Sequence, residues 1–421
     1  MNFVTCTLGE ICDEVEGIIQ TGPFGSQLHR SDYQDEGTPV VMPKDLIEGK
    51  VSVESIARIG DEDVARLSRH KLRTGDIVYA RRGDIGRRAL ITSREAGWIC
   101  GTGSMRISLG DSVVHPVFLH YYLGQPDVVA WIYNQAIGAT MPNLNTSIVR
   151  SIPVTYPPLP TQRKIAAILS AYDDLIENNT RRVAALEEMA QAIYHEWFVH
   201  FRFPGHEQVA MVDSPLGPIP EEWEVKQLGY VAEQVRRNVK PDEVDSKTPY
   251  FGLGHLPKKS IALSEWGTAD ETKSTKLVFK RGEILFGKIR PYFHKVGVAP
   301  VDGVCSTDTI VIVPGSPEHF SLVLACVSSK EFVDHATQTS QGTKMPRADW
   351  KVLVKYPVII PLESILSQFN EFIENTVAQI QNMIFRNHNL RRTRDLLLPC
   401  LISGEIDVSD LLIATEGGDN A

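Results

Sequence analysis

Residues 74–86 read TGDIVYARRGDIG, and residues 281–293 read RGEILFGKIRPYF. Each begins with a glycine, an acid and an isoleucine: Gly75-Asp76-Ile77 in one, Gly282-Glu283-Ile284 in the other. Each then runs through β-branched and aromatic residues into a cluster of cations, the pattern of a strand entered and left through tight turns. Gly75 and Gly282 stand 207 positions apart. A single such match carries little weight, so its surroundings decide.

The surroundings agree. WICGTGSMRIS (98–108) is answered by GVCSTDTIVIV (303–313), and Met141-Pro142 in IGATMPNLN (137–145) by Met345-Pro346 in QGTKMPRADW (341–350). Tyr156-Pro157 is answered by Tyr356-Pro357, and Phe3 precedes Leu8-Gly9 by the same five residues that separate Trp223 from Leu228-Gly229. The offset drifts slowly, as loop insertions and deletions make it. The chain is therefore a tandem duplication. Runs such as DIVYA, RALIT, EILFG and TIVIV predict strands, and PVFLHYYLGQPDVVAWIYNQAIG (116–138) predicts helices ending at glycine. Each copy is expected to be one loop-rich α+β domain followed by one long helix.

The long helices announce themselves by period. From Ile165, one heptad register gives Ile165, Tyr172, Asn179, Leu186 and Ile193 at one position and Leu169, Ile176, Val183, Ala190 and Trp197 at the other. The second copy gives Phe369, Thr376, Met383, Leu390 and Leu397 with Leu366, Ile373, Ile380, Asn387, Arg394 and Leu401. A 3.5-residue period held over more than four heptads predicts two helices packed along their length as a coiled coil, with Asn179 and Asn387 as polar residues that fix register. The expected layout is residues 1–158 as the first domain, 159–202 as a central helix, 203–220 as a linker, 221–358 as the second domain, 359–404 as a C-terminal helix and 405–421 as an acidic tail.

With 421 residues, 43% of them hydrophobic, the chain has enough apolar material for two cores. No apolar run reaches the length of a membrane span, and MNFVTCTLGEICDE carries acids where a secretory signal carries cations, so a cytoplasmic protein is expected. Six cysteines form no C-x-x-C pair, which predicts reduced thiols and no metal site. The formal net charge of −9 conceals two basic segments. Lys71 to Arg94 holds seven Lys/Arg against two Asp, and Lys273 to Lys295 holds seven against one Glu. One basic run is commonly a solvated face. Two at matching repeat positions, interleaved with Tyr79, Phe286, Tyr292 and Phe293, point to nucleic acid, because Arg and Lys neutralise phosphates and Arg reads guanine bidentately.

Signatures of bond-breaking chemistry are missing. YPPL (156–159) lacks the polar residue and the aromatic of an adenine-methyltransferase Pro-Pro motif, GTGSM (101–105) lacks the helix of a dinucleotide loop, and there is no G-x-x-x-x-G-K-[ST]. His195 and His200, five apart on a helix, do not share a face for a metal. No catalytic residue is assigned.

Four stretches together identify a family: TGPFGSQLHRSDY (21–33) with GTPVVMPKDL, YPPLPTQRKIAAIL (156–169), SPLGPIPEEWEVKQLG (214–229) and LLLPCLISGEIDV (396–408). The chain resembles the specificity subunit of Type I restriction-modification enzymes over nearly its whole length. That resemblance implies two α+β target recognition domains separated by two long antiparallel coiled-coil helices, each domain reading half of a split, asymmetric sequence in double-stranded DNA. It implies two methyltransferase subunits carrying S-adenosylmethionine, restriction and translocation subunits using ATP and Mg, and no cofactor in this chain. The second copy has IIPLESIL (359–366) where the first has PPLPTQRK (157–164), so the two partner contacts are not expected to be alike. Two other readings stay open: a self-contained DNA methyltransferase, and a coiled-coil adaptor that does not read DNA.

The residues expected at DNA are Arg81, Arg82, Arg87, Arg88, Thr140, Asn143 and Asn145 in the first domain and Lys288, Arg290, Lys295, Lys344 and Arg347 in the second. Arg163, Lys164, Arg181, Arg182, Arg386, Arg391 and Arg392 are expected on the outer helix faces, open to partner subunits. A helix from Ile165 to Trp197 is about 50 Å long at 1.5 Å per residue, which makes the helix pair the expected ruler of the unread stretch between the two halves.

Overall fold

The strand predicted after Gly75, Ile77–Ala80, forms with all four residues buried, and so does its counterpart Ile284–Gly287. A strand buried on both faces reads as a continuous apolar run, because each face meets its own core. Ile77 and Tyr79 face one cluster with Met105, Ile107 and Phe118, while Val78 and Ala80 face another with Val41, Leu72 and Cys100. In the second copy Ile284 and Phe286 join Ile310, Ile312 and Phe332, while Leu285 joins Phe251, Phe279 and Val311.

The computed structural model describes residues 3–136, 143–271 and 273–413. The chain divides into two compact units: Met1–Asp174 with Leu390–Ala421, and Leu175–Asn389. In unit 1 the central sheet runs Ile18–Thr21, Ser104–Ser108, Ile77–Ala80, Arg88–Leu90, all antiparallel. Unit 2 has the same order in Ala232–Val235, Thr309–Pro314, Ile284–Gly287, Val296–Val298. Each unit carries a second sheet with one parallel pair, Ile99–Cys100 on Thr38–Val41 and Gly303–Cys305 on Pro249–Phe251. A two-stranded ladder closes each copy: Val4–Thr7 pairs with Pro153–Tyr156, and Glu224–Gln227 with Pro357–Ile360.

The repeated Leu-Gly has a steric cause. Leu8 N–H donates to the Ile152 carbonyl at 2.8 Å and Leu228 N–H to the Tyr356 carbonyl at 2.8 Å, so the next residue lies against the returning chain. A Cβ on Gly9 would stand 2.9 Å from the Arg150 carbonyl oxygen, and one on Gly229 2.5 Å from Val354 Cγ2.

Two long helices follow the copies, Leu159–Tyr194 and Glu363–Ser403, the first ending in a π-turn at His195–Val199. Both helices pass through the division between the units, and in each unit the local segments run antiparallel. In unit 1, Ile165 and Leu169 lie in one core with Leu401 and Ile402. In unit 2, the Asn179 amide donates to the Asn387 side-chain oxygen at 2.8 Å, and Phe198 meets Phe369 edge-on with centroids 4.8 Å apart. Asn387 is buried, and its own amide points to the Ile176 carbonyl and the Thr180 hydroxyl. The two seam asparagines thus satisfy each other, which a shift of one turn would prevent. Among the described residues no helix is long and apolar enough to cross a membrane.

Candidate nucleic-acid interface

The basic segments form the tips of hairpins, and each tip is sewn to the residues that follow the repeated Met-Pro: Asn143 and Leu144 in one copy, Arg347 and Ala348 in the other. In unit 1 the hairpin joins Ile77–Ala80 to Arg88–Leu90, closed by Ala80 N–H on the Arg87 carbonyl at 2.8 Å. Arg81 N–H donates to the Gly103 carbonyl at 2.9 Å, and the Arg81 carbonyl accepts from Leu144 N–H at 2.8 Å. Arg82 and Asn143 form an isolated antiparallel bridge. In unit 2 the hairpin joins Ile284–Gly287 to Val296–Val298, closed by Gly287 N–H on the Lys295 carbonyl at 2.8 Å. Lys288 N–H donates to the Asp308 carbonyl at 3.0 Å, the Lys288 carbonyl accepts from Ala348 N–H at 2.9 Å, and Ile289 bridges Arg347. Arg81 and Lys288 are therefore the same position of the frame, as are Leu144 and Ala348. Two motifs more than fifty residues apart in each copy become neighbours through backbone pairing alone.

The side chains on this frame differ in how far they are free. Arg81 is half-buried; its Nε donates to the Leu144 carbonyl at 3.2 Å, its terminal nitrogen reaches the Asn143 oxygen at 3.4 Å, and its guanidinium lies 6.0 Å from the Phe24 ring. Burial, and then the charge of Arg82, lower its pKa from the ordinary arginine value. Arg82 is exposed, with no side-chain partner among the described residues. Arg87 is exposed but paired with Asp84 at 2.6 Å, and that bond lowers the Asp84 pKa from its usual carboxylate value.

Arg88 is not at the surface of the tip. It is the first strand residue after the turn, opposite Tyr79, and its Nε donates to the His120 carbonyl at 2.6 Å. Its guanidinium fills the space where a side chain on Gly124 would be, so its assignment to DNA is replaced by a structural one. Asn145 is likewise structural: its side-chain oxygen caps the helix Thr146–Arg150 by accepting from Ile148 N–H at 2.8 Å. Thr140 lies outside the described residues.

In unit 2, Lys288 donates to the Thr307 carbonyl at 2.6 Å and Lys295 to the Leu253 carbonyl. Burial lowers the Lys295 pKa from its ordinary value, followed by the charge of Lys258. Lys344 and Arg347 are exposed, the latter 3.7 Å from Asp308. Arg290 is half-buried in a left-handed backbone conformation, φ 49°. Phe24 belongs to unit 1's tip as well, and sequence reasoning did not assign it. It is 55% exposed, and the loop beneath it is held by Gly22 N–H on the Ser104 carbonyl and Thr102 Oγ1 on the Pro23 carbonyl. An aromatic between two glycines, Gly-Pro-Phe-Gly, was the available signal.

The cations expected on the outer helix faces divide into two groups. Arg181, Arg182, Arg386 and Arg392 are exposed, Arg181 paired with Glu177 on its own helix. Three others have partners within unit 1: Lys164 donates to the Ser409 carbonyl, Arg391 pairs with Glu48 at 3.5 Å and Arg163 lies 3.8 Å from Asp111.

Residues 2–188 match the family model described as the Type I restriction modification DNA specificity domain. The chain is 26% identical to the type I restriction enzyme MjaIX specificity subunit of Methanocaldococcus jannaschii, covering 90% of this chain and 89% of the relative. It is 23% identical to the HindI specificity subunit of Haemophilus influenzae, covering 82% and 89%. The structure is similar to that of the S subunit of a type I restriction-modification system from M. genitalium, with a TM-score of 0.57 at 15% identity over 96% of each chain.

Proposed function

We propose that the chain is a specificity subunit of the type I restriction-modification family and that it reads an asymmetric bipartite DNA target, one half with each unit. One observation carries this reading. The same backbone pairing in both units ties a basic hairpin tip to a second loop, while the side chains displayed there differ: Arg81, Arg82 and Asn143 in one, Lys288, Arg290 and Arg347 in the other. A frame repeated with different readers suits two unlike half-sites. The chain supplies recognition, and adenine methylation belongs to methyltransferase subunits, two per chain, that bind S-adenosylmethionine. Restriction subunits supply ATP- and Mg-dependent translocation and cleavage. Partners dock on helix faces that include Arg181, Arg182, Arg386 and Arg392.

The test is methylation mapping in a host that expresses this chain with its methyltransferase. A bipartite motif should appear with the chain and vanish without it. Arg82→Ala should weaken binding and lower the slope of log affinity against log salt by about one if Arg82 meets a phosphate, or relax one base pair of one half if it meets a base. An Arg82→Ala complex with unchanged affinity, salt slope and motif would remove the hairpin tip from the interface.

A further inference from the structure

At one corresponding position both hairpin tips take a positive φ, with different residues. In unit 1 the second residue after the frame position Arg81 is Gly83, φ 76°; in unit 2 the second residue after Lys288 is Arg290, φ 49°. Glycine enters this region without steric cost, whereas an arginine Cβ meets the following carbonyl there. Arg290 is also followed by Pro291, whose ring pushes the preceding residue toward extended backbone. The strain is held from both sides. Arg290 N–H donates to the Pro346 carbonyl at 2.8 Å, and His294, itself at φ 52°, contacts the Ser328 carbonyl through Nε2 at 2.8 Å.

Among the described residues the side chain makes no hydrogen bond or ion pair that would offset this. Its Nε is buried without a hydrogen-bond partner, and no ion pair engages its guanidinium among the described residues. Its neighbours differ: Lys288, Lys295 and Arg347 are held by the Thr307 carbonyl, the Leu253 carbonyl and Asp308. A half-buried guanidinium with unused donors, on a backbone held by the Pro346 carbonyl, suits a planar acceptor pair, and a base edge offering two acceptors, guanine O6 and N7, matches its fork.

We propose that Arg290 is the specificity-determining residue of the second unit, reading one guanine of its half-site. This rests on the DNA-reading function proposed above. The test uses the complex assembled by co-expression with the methyltransferase and two variants. Arg290→Gly relieves the backbone: the melting temperature should hold or rise, while discrimination at one base pair of one half falls by about ten- to a hundredfold and the other half is read as before. Arg290→Lys keeps the charge and loses the fork, so the salt slope should persist while the same base pair relaxes.

A lower melting temperature with an unchanged motif in Arg290→Gly would make the side chain structural and overturn the proposal. Full discrimination by Arg290→Lys would make it a phosphate contact and overturn it as well. A wild-type complex that methylates no bipartite motif would sink the DNA-reading function itself, and this inference with it.

Discussion

In unit 1 the two helix segments share an apolar contact of Ile165 and Leu169 with Leu401 and Ile402, and a charge pair stands beside it: Asp173 pairs with Arg394 and accepts from the Tyr121 hydroxyl at 2.5 Å. In unit 2 they are joined by rings: Phe369, fully buried, meets Tyr194, Trp197 and Phe198 at centroid distances of 6.4, 5.9 and 4.8 Å, and Phe198 meets Trp223 at 5.7 Å. The sheets of the two units nonetheless share strand order, closing ladders and hairpin pairing. Duplication has preserved what the backbone does with itself and released what the side chains do, because main-chain hydrogen bonds do not depend on residue identity whereas packing and ion pairs do.

That contrast can be tested, beginning with the rings of unit 2. Phe369→Ala should cost about 3–5 kcal/mol, since it leaves a cavity among packed rings. Urea denaturation measures it, and the loss should be insensitive to salt. A cost under about 1 kcal/mol would mean the rings fill space without holding the helices. Acid should act next, and on unit 1. His70 is buried beside Arg69 and Arg106, and burial first, then those charges, lowers its pKa to about 4. The unfolded chain takes up a proton near pH 6.5 that the folded chain refuses until about pH 4. The stabilisation is therefore complete above 6.5 and lost as pH falls through that window, up to about 3 kcal/mol. Amide protection factors in unit 1, taken against the intrinsic rate at each pH, should fall over that range and hold in His70→Gln; an equal fall in unit 2 would refute the assignment.

Asp173→Ala completes the series. With 24% of each side chain exposed, the pair with Arg394 is half-screened, and its removal should cost about 1–2 kcal/mol, shrinking as salt is added. A salt-independent loss would show that Asp173 acts by packing.

Repeat, sheets and seam were legible in the sequence because each is written in a local period or a spaced motif. Asn179 and Asn387, chosen by heptad position, do bond each other. What sequence misjudged depends on parity or distant partners. RRGDIGRR does not say where the turn ends, and one residue of strand separates exposed Arg87 from inward Arg88. Asn145 could be a reader or a cap until the helix after it is seen. Lys164 and Arg391 read as open cations because Ser409 and Glu48 lie hundreds of residues away along the chain.

Unit 1 contains both ends of the described chain, and this sets a clock on its synthesis. Ile165 and Leu169 face Leu401, Ile402 and Val408, which leave the ribosome only after all of unit 2. At about 5–20 residues per second, that apolar strip waits roughly 10 to 50 s for its cover. A nascent chain paused before Leu390 should therefore present one finished unit and one open one. The open unit is where a chaperone, or a second nascent chain offering its own C-terminal helix, would meet this protein first.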